Sequence, residues 1–468
     1  MKHNWRKRGR KQLKLYFDLI FSNGLKINAL QAIPFWIASL LVGLVAFGYA
    51  RLFSSSENLL QHILHWHSWM IFIMAPAGFL LAVLIAKIFA PNAKGSGIPQ
   101  VMAAIELSTA KNDHKISKLL SLRIIVTKIA SSLMMVLGGG AIGREGPTIQ
   151  IAGSIFRIVN KWIPASWPKL SRQSFILTGA AAGLAAAFNT PLGGVVFAME
   201  ELSKIHLRFF RTALFSAVII AGLTAQALLG PYLYLGYPDV KGPSFSIFLG
   251  VIVTAIVAGL LGSLMCKAIL RIMKWKRSFS GTKVFIFILF AALLIALLAF
   301  FFNDEILGSG KDLMNEALFT NQKSGSWHTV ALRIIGPIIA FNTGAAGGVF
   351  APSLAAGASV GSLVSDLFHF AGANANIIIL SGMVGFLTGV TRTPFTSAIL
   401  VLEMTDRHSV IFHLMLAALV SNIASMIIDK HSFYEQLKNE YVEDALLPDK
   451  TVIQTNTEEK KTEQEHEG

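Results

Sequence analysis

Charged residues are scarce in this sequence. Of its 468 residues only 14% are Asp, Glu, Lys or Arg, whereas 53% are hydrophobic. Soluble domains average about 25% charged residues, so this composition excludes a soluble enzyme of this size. Cysteine is scarcer still, because Cys266 stands alone. An intrachain disulfide and a metal cluster held by thiolates are therefore excluded as well.

The charge that is present is basic, with a formal net charge of +15 at pH 7. Such an excess suits nucleic acid, an anionic membrane surface or an anionic solute. Long uncharged runs argue against nucleic acid, since about 20 apolar residues in a helix cross a bilayer core of about 30 Å. Six runs are predicted to be membrane-crossing helices, at residues 29–50, 69–86, 213–237, 243–266, 284–303 and 409–428.

Two basic clusters predict the orientation. Seven Lys and Arg residues fall within the first fourteen positions, and six more fall between Lys267 and Lys283, where we predict a short hairpin. By the positive-inside tendency both clusters should face the cytoplasm. A cleaved signal peptide is disfavoured because the apolar run that follows is too long for an h-region.

Four further apolar pieces are too short to span a bilayer alone, at residues 148–159, 175–188, 192–199 and 395–402. Glycine and proline interrupt them. Broken helices are tolerated at membrane depth only where they are buried in protein or line a cavity, so this pattern is typical of a transporter.

The sequence also contains an internal repeat. The segment N-T-P-L-G-G-V-V-F-A-M-E-E places Glu200 nine residues after its proline, and R-T-P-F-T-S-A-I-L-V-L-E places Glu403 nine residues after its own, 203 positions later. Two other helices are predicted to begin at Pro147 and Pro352, which are 205 positions apart. Repeats of this kind place a binding site at their interface near the bilayer midplane. The spacing leaves open whether the halves are inverted, which is the arrangement we expect.

Three glycine-rich strings end in proline near predicted helix starts. They are Gly95, Ser96, Gly97, Ile98 and Pro99; Gly143, Arg144, Glu145, Gly146 and Pro147; and Gly347, Gly348, Val349, Phe350, Ala351 and Pro352. Proline favours the first helical turn, where unpaired N–H groups carry an effective charge of roughly +0.5. Three such ends would bind an anion weakly enough to release it again. Taken singly, each string fits an ordinary capped turn.

At these residues the sequence resembles the CLC family of chloride channels and chloride/proton antiporters, whose three selectivity-filter motifs match the strings in order and approximate spacing. The resemblance covers roughly residues 27–441 and is strongest to bacterial antiporter-type members without C-terminal CBS domains. It implies an all-helical polytopic membrane protein of two repeated halves, forming a homodimer with one pathway in each subunit. It implies no cofactor and no metal.

The resemblance also implies a set of chloride ligands. Ser96 would donate its hydroxyl to a central chloride, the backbone N–H groups of Val349 and Phe350 would reach the same ion, and Tyr434 would donate its phenol. Ser96 fits a helix N-cap as well, and Tyr434 fits an interfacial aromatic residue. Gln100 stands where many family members carry glutamate, so we expect different electrostatics at that helix start.

Two carboxylates are implied to handle protons. Glu145 resembles the gating glutamate of the family, because a carboxylate at a helix N-terminus competes with an anion for the same N–H groups and protonation removes that attraction. An ion pair with Arg144 is the alternative. Glu201 matches the residue that accepts protons from the cytoplasm in antiporters. Its alternative is a solvated helix end followed by Lys204, Arg208 and Arg211.

The expected function is a chloride/proton antiporter of the inner (plasma) membrane. Its expected partners are chloride, protons, the lipid bilayer and a second copy of the chain, without nucleic acid. A passive voltage- or pH-gated chloride channel is the alternative, and Glu201 discriminates between the two. An intramembrane enzyme is remote, because no H-E-x-x-H pair and no nucleophile with a base is present.

The expected organisation has three parts. Residues 1–28 form a basic cytoplasmic segment, residues 29–441 a transmembrane transport domain and residues 442–468 a polar cytoplasmic tail. The repeat halves are placed at about 29–237 and 243–430. Two enzyme-like strings, G-G-G-A-I-G at 138–143 and G-A-S-V-G at 357–361, lack the strand-to-helix surroundings that a dinucleotide site or a nucleophile elbow needs.

Overall fold

The computed structural model describes residues 23–109, 112–164, 166–167, 170–202, 211–230, 233–240, 247–302, 304–320, 323 and 325–446. Across these residues the chain is helical and forms no strand, only isolated bridges. Eight of the described helices are long and apolar enough to cross a membrane. The all-helical polytopic fold is therefore confirmed. The predicted basic N-terminal segment, through residue 22, and the predicted tail, from residue 447, lie outside the described residues.

Eighteen α-helices form within the described part of the chain. They are α1 (Asn23–Trp66), α2 (Ile71–Phe89), α3 (Ile98–Glu106), α4 (Asp113–Leu119), α5 (Leu122–Leu137), α6 (Glu145–Trp162), α7 (Arg172–Phe188), α8 (Pro191–Phe197), α9 (Arg211–Leu229), α10 (Ile247–Lys276), α11 (Gly281–Phe302), α12 (Lys311–Phe319), α13 (Trp327–Asn342), α14 (Phe350–Leu367), α15 (Gly372–Thr391), α16 (Pro394–Thr405), α17 (Ile411–Met426) and α18 (Phe433–Leu446). A π-helical turn, Ala198–Leu202, continues α8.

The six predicted spans correspond to α1, α2, α9, α10, α11 and α17, and three predictions near them are wrong in extent. Helix α1 continues to Trp66, 16 residues beyond the predicted end of the first span at residue 50. Helix α9 ends at Leu229, because Gly230 adopts a left-handed conformation with φ of 91° and stops the helix. The predicted span to residue 237 is therefore too long. Helix α10 continues to Lys276, so most of the predicted basic hairpin is helical and its turn is limited to residues 277–280.

The apolar runs did not predict two long helices, α5 and α15. Helix α5 contains Arg123 and Lys128, which interrupt its apolar character. Helix α15 packs against α14 and α10 in the interior. A Cβ on Gly357 of α14 would lie 2.4 Å from the carbonyl oxygen of Gly382 on α15. The string at 357–361 therefore brings two helix backbones together, which requires glycine.

The predicted repeat is visible as two sets of three consecutive helices, α6–α7–α8 and α14–α15–α16. Helices α7 and α15 both end at a left-handed residue, Asn189 with φ of 58° and Arg392 with φ of 62°. In both sets a Thr-Pro pair follows, and the proline begins the short third helix. Helices α8 and α16 pack against each other.

Candidate functional site

The three glycine-rich strings meet in the protein interior through backbone hydrogen bonds. The N–H of Gly95 donates to the carbonyl of Ala345 at 2.8 Å, and the N–H of Gly347 donates to the carbonyl of Gly95 at 3.0 Å. Gly143 and Gly348 exchange two such bonds, at 2.7 and 2.9 Å. The third string is therefore tied to both of the others. Three segments distant in sequence form one small framework.

A helix begins at each string, though earlier than predicted for two of them. Helix α6 begins at Glu145 and α14 begins at Phe350, two residues before the prolines at which we placed the starts. Helix α3 begins at Ile98, directly after Gly97 with φ of 108°. Glu145 and Phe350 therefore belong to first helical turns, where backbone N–H groups lack intrahelical partners.

Two buried hydroxyls, those of Ser96 and Tyr434, lie beside this framework. Ser96 is 1% exposed and Tyr434, on α18, is fully buried. The hydroxyls approach each other, yet neither has a hydrogen bond of acceptable geometry within the described residues. Burial removes the interfacial alternative for Tyr434. The N-cap alternative for Ser96 is also removed, because Gly97 precedes α3 and no side chain caps that helix.

The second string passes directly against the first. A Cβ on Gly146 would lie only 2.3 Å from Oγ of Ser96 and 2.9 Å from its carbonyl oxygen. Any side chain at this position would displace Ser96. Glycine at position 146 therefore fixes the place of the Ser96 hydroxyl, which lies at the meeting point of the strings.

The Glu145 carboxylate is fully buried at the start of its own helix. Its Oε1 accepts a hydrogen bond of 3.4 Å from the hydroxyl of Tyr234, and its Oε2 has no partner among the described residues. The Lys311 ammonium lies 5.0 Å from the centre of the Tyr234 ring. The sequence did not predict this role of Tyr234, because we assigned it to the span that ends earlier, at Leu229.

Glu201 lies in the π-helical turn after α8. Its Oε1 is buried and unpartnered among the described residues, although the carboxylate interacts electrostatically with Glu200, Glu435 and Lys438. Lys438 is itself paired with Glu106 at 2.8 Å. The Glu201 carboxylate is therefore not at a freely solvated helix end. Lys204 and Arg208, which the solvated alternative invoked, lie outside the described residues.

Lys128 is a buried cation that the sequence analysis missed. Its ammonium donates to the carbonyls of Ala93 at 2.8 Å and Gly95 at 2.7 Å, so it supports the chain leading into the first string. The side chain is fully buried. The available signal was a lysine inside an apolar membrane helix, since such residues usually have a function.

Gln100 connects the first string to α18. Its amide nitrogen donates to the carbonyl of Lys94 at 2.7 Å and to the hydroxyl of Tyr441 at 3.0 Å. Glutamate could not donate these bonds. A cavity of about 430 Å³ opens beside Gln100, with Ser96, Lys94, Lys276 and Arg277 among the residues that line it. Three acidic residues, Glu440, Glu443 and Asp444, also line this cavity, which opens from the first string.

Comparison with known proteins places the chain in a family. The model described as voltage gated chloride channel matches residues 77–426, about three quarters of the chain. The H(+)/Cl(-) exchange transporter ClcA of Salmonella arizonae is 27% identical over 420 residues, which covers 86% of each chain. The protein of the same name from Salmonella paratyphi B gives the same identity and coverage.

Solved structures share the fold. A slow cyanobacterial Cl−/H+ antiporter matches with a TM-score of 0.76 at 23% identity, covering 88% of this chain and 98% of that one. A CLC-type fluoride/proton antiporter matches with a TM-score of 0.72 at 20% identity, covering 89% and 99%. Since the family model spans well over half of the sequence, this chain belongs to the CLC family of voltage gated chloride channels.

Proposed function

We propose that this protein exchanges chloride for protons across the membrane. The observation that carries the proposal is the pair of buried, unpartnered hydroxyls of Ser96 and Tyr434 at the point where the three strings meet. A buried donor without an acceptor costs about 1–3 kcal/mol, so the pair fits an anion that accepts from both. Proteins named H(+)/Cl(-) exchange transporter among the relatives support the same function.

Chloride is held in this proposal by neutral donors. Ser96 and Tyr434 contribute O–H groups, while Val349 and Phe350 contribute backbone N–H groups at the start of α14. The partial charges of helix starts attract the ion, and the absence of a lysine or arginine ligand in this set keeps the binding weak. The Lys128 amine lies behind the first string and holds it in place through its hydrogen bonds to the carbonyls of Ala93 and Gly95.

Protons pass by way of two carboxylates. When Glu145 is ionised, its carboxylate binds the N–H groups at the start of α6. When it is protonated, that attraction is lost and chloride can bind there instead. Glu201 accepts protons from the cytoplasmic side. The Tyr434 phenol lies within electrostatic range of both carboxylates.

Antiport is preferred to a passive channel because of Glu201. A helix-end carboxylate of no function would be expected to point into water, whereas Glu201 buries an unpartnered oxygen. We propose transport without an enzymatic reaction and without a cofactor. The transport domain is proposed to span residues 29–441, with inverted halves at about 29–237 and 243–430.

The decisive experiment is proton uptake by liposomes that contain the purified protein, under a chloride gradient with no initial pH gradient. Uphill proton movement that reverses with the chloride gradient is the expected result. Glu201→Gln should stop the proton signal and leave chloride flux. If wild-type protein carried chloride with no proton signal, the channel alternative would replace antiport.

We propose a homodimer in the inner (plasma) membrane with both termini in the cytoplasm. Helices α8, α9, α16 and α17 carry exposed apolar side chains that a second copy would cover. Among them are Leu192, Leu223, Phe395, Leu419 and Ile423. The remaining apolar surface contacts lipid, and the turn at 277–280, with the basic residues that flank it between Lys267 and Lys283, faces the cytoplasm. The purified protein in detergent should have the mass of two chains in light scattering, and the mass of one chain would contradict the assembly.

A further inference from the structure

The two repeated glutamates, Glu200 and Glu403, cap each other's helices. Glu200 accepts from the N–H of Phe395 at 3.1 Å and the N–H of Thr396 at 2.6 Å, at the start of α16. Glu403 accepts from the N–H groups of Leu192 at 3.0 Å and Gly193 at 2.6 Å, at the start of α8.

These reciprocal bonds define the geometry of the repeat. The end of each short helix lies beside the start of the other, so α8 and α16 run antiparallel. Each carboxylate reaches the second and third residues of the opposite helix, which are the positions of unpaired N–H groups. A charged acceptor at a helix N-terminus is also favoured by the helix dipole. The two halves of the repeat are therefore joined by two equivalent caps.

The caps differ in the residue that follows each of them. Met404 follows Glu403 and is a fully buried apolar side chain in a regular α-helix. Glu201 follows Glu200 within a π-helical turn, and such turns often occur at functional sites. Glu200 is exposed and directed to α16, whereas Glu201 buries an oxygen in the interior. Two adjacent carboxylates thus lie in opposite surroundings.

We infer that Glu200 is a positioning residue for proton transfer: by capping α16 it fixes the π-helical turn so that the Glu201 carboxylate faces the interior. Without the cap, either Glu200 or Glu201 could place its carboxylate toward the interior. No hydrogen bond of its own would then hold the Glu201 carboxylate inward. The Thr396 hydroxyl strengthens the cap, since it donates to the same Glu200 oxygen at 2.7 Å. This inference rests on the proposed proton role of Glu201.

The test compares Glu200→Gln with Glu403→Gln in liposomes, measuring proton flux and chloride flux separately. Either amide would place a donor against backbone N–H groups, so both variants should lose thermal stability to a similar extent. Only Glu200→Gln should lower the number of protons moved per chloride. The expected decrease is on the order of tenfold, because the loss of one charge-assisted hydrogen bond would weaken the inward orientation of Glu201 by about that factor. Chloride flux should persist in both.

Equal coupling in both glutamine variants, whether normal or reduced, would overturn the positioning role and leave Glu200 as a structural cap. If Glu200→Gln does not fold, Thr396→Val provides a milder change, because it removes one donor to the same oxygen and keeps both backbone bonds. Its proton flux per chloride should then fall by less than in Glu200→Gln, and normal coupling would contradict the inference. Glu201→Gln separates the two proposals, because normal coupling in that variant would remove the proton role of Glu201 itself.

Discussion

A methyl group on Gly146 should weaken chloride binding by displacing Ser96. The added Cβ would lie 2.3 Å from Oγ of Ser96, whereas ordinary contact begins near 3.4 Å. The hydroxyl must therefore retreat by about 1 Å, which breaks a hydrogen bond of normal length. A hydrogen bond to a charged partner contributes about 1.5–3 kcal/mol. Since 1.4 kcal/mol corresponds to a factor of ten, we expect chloride affinity to fall roughly ten- to hundredfold.

Isothermal titration of chloride into purified protein measures this loss, and Ser96→Ala provides the matching variant. If Gly146→Ala acts through Ser96, the double variant should lose less affinity than the sum of the two single losses. Gly43→Ala is the packing control, because its Cβ on α1 would meet the Cβ of Thr224 on α9 at 2.5 Å, away from the strings. It should lower stability with little effect on chloride. Normal chloride affinity in Gly146→Ala, or full additivity, would refute the reasoning.

Three other substitutions test neighbouring parts of the site. Gln100→Glu should lower the melting temperature, because a carboxylate cannot donate to the carbonyls of Asn92 and Lys94 and each lost hydrogen bond costs about 0.5–1.5 kcal/mol; unchanged melting would show that water replaces the amide. Lys128→Met should weaken chloride binding in calorimetry, because the donor that holds the carbonyls of Ala93 and Gly95 is lost and the first string can move; unchanged affinity would show that the string keeps its place without the lysine. Glu145→Ala should abolish proton coupling and the pH sensitivity of chloride flux in liposomes, an expectation that uphill proton pumping by the variant would contradict.

The features of the fold that the sequence predicts are those set by neighbouring residues in the chain. Proline and glycine mark helix boundaries at short range, so the strings and the repeat of Glu200 and Glu403 could be read from spacing alone. Six spans were found because they contain no charge. Helix α15 was missed because it contains glycine and asparagine. These residues are tolerated there because the helix lies in the protein interior and does not contact lipid.

Long-range contacts account for the parts of the site that the sequence did not predict. Tyr234 reaches Glu145 only because α9 stops at Leu229 and the chain turns back into the interior. Lys128 supports the first string from a helix that begins more than twenty residues later in the sequence. Neither contact leaves a periodic or local signal of its partner, although the lysine within an apolar helix marks Lys128 itself. Gln100 was noticed as a departure from the family pattern, but its bond to Tyr441 depends on where α18 packs.

The starts of α3, α6, α8, α14 and α16 differ in what covers their N–H groups, and the difference separates the scaffold from the proposed site. Helices α8 and α16 have carboxylates from the opposite repeat fixed on their N–H groups. No side chain of the preceding residue caps α3 or α14. The Glu145 carboxylate belongs to the first turn of α6 and interacts with the backbone N–H of Ala351 in the first turn of α14. In the proposed mechanism chloride binds at the starts of α3 and α14, and protonation of Glu145 releases the N–H groups that its carboxylate occupies.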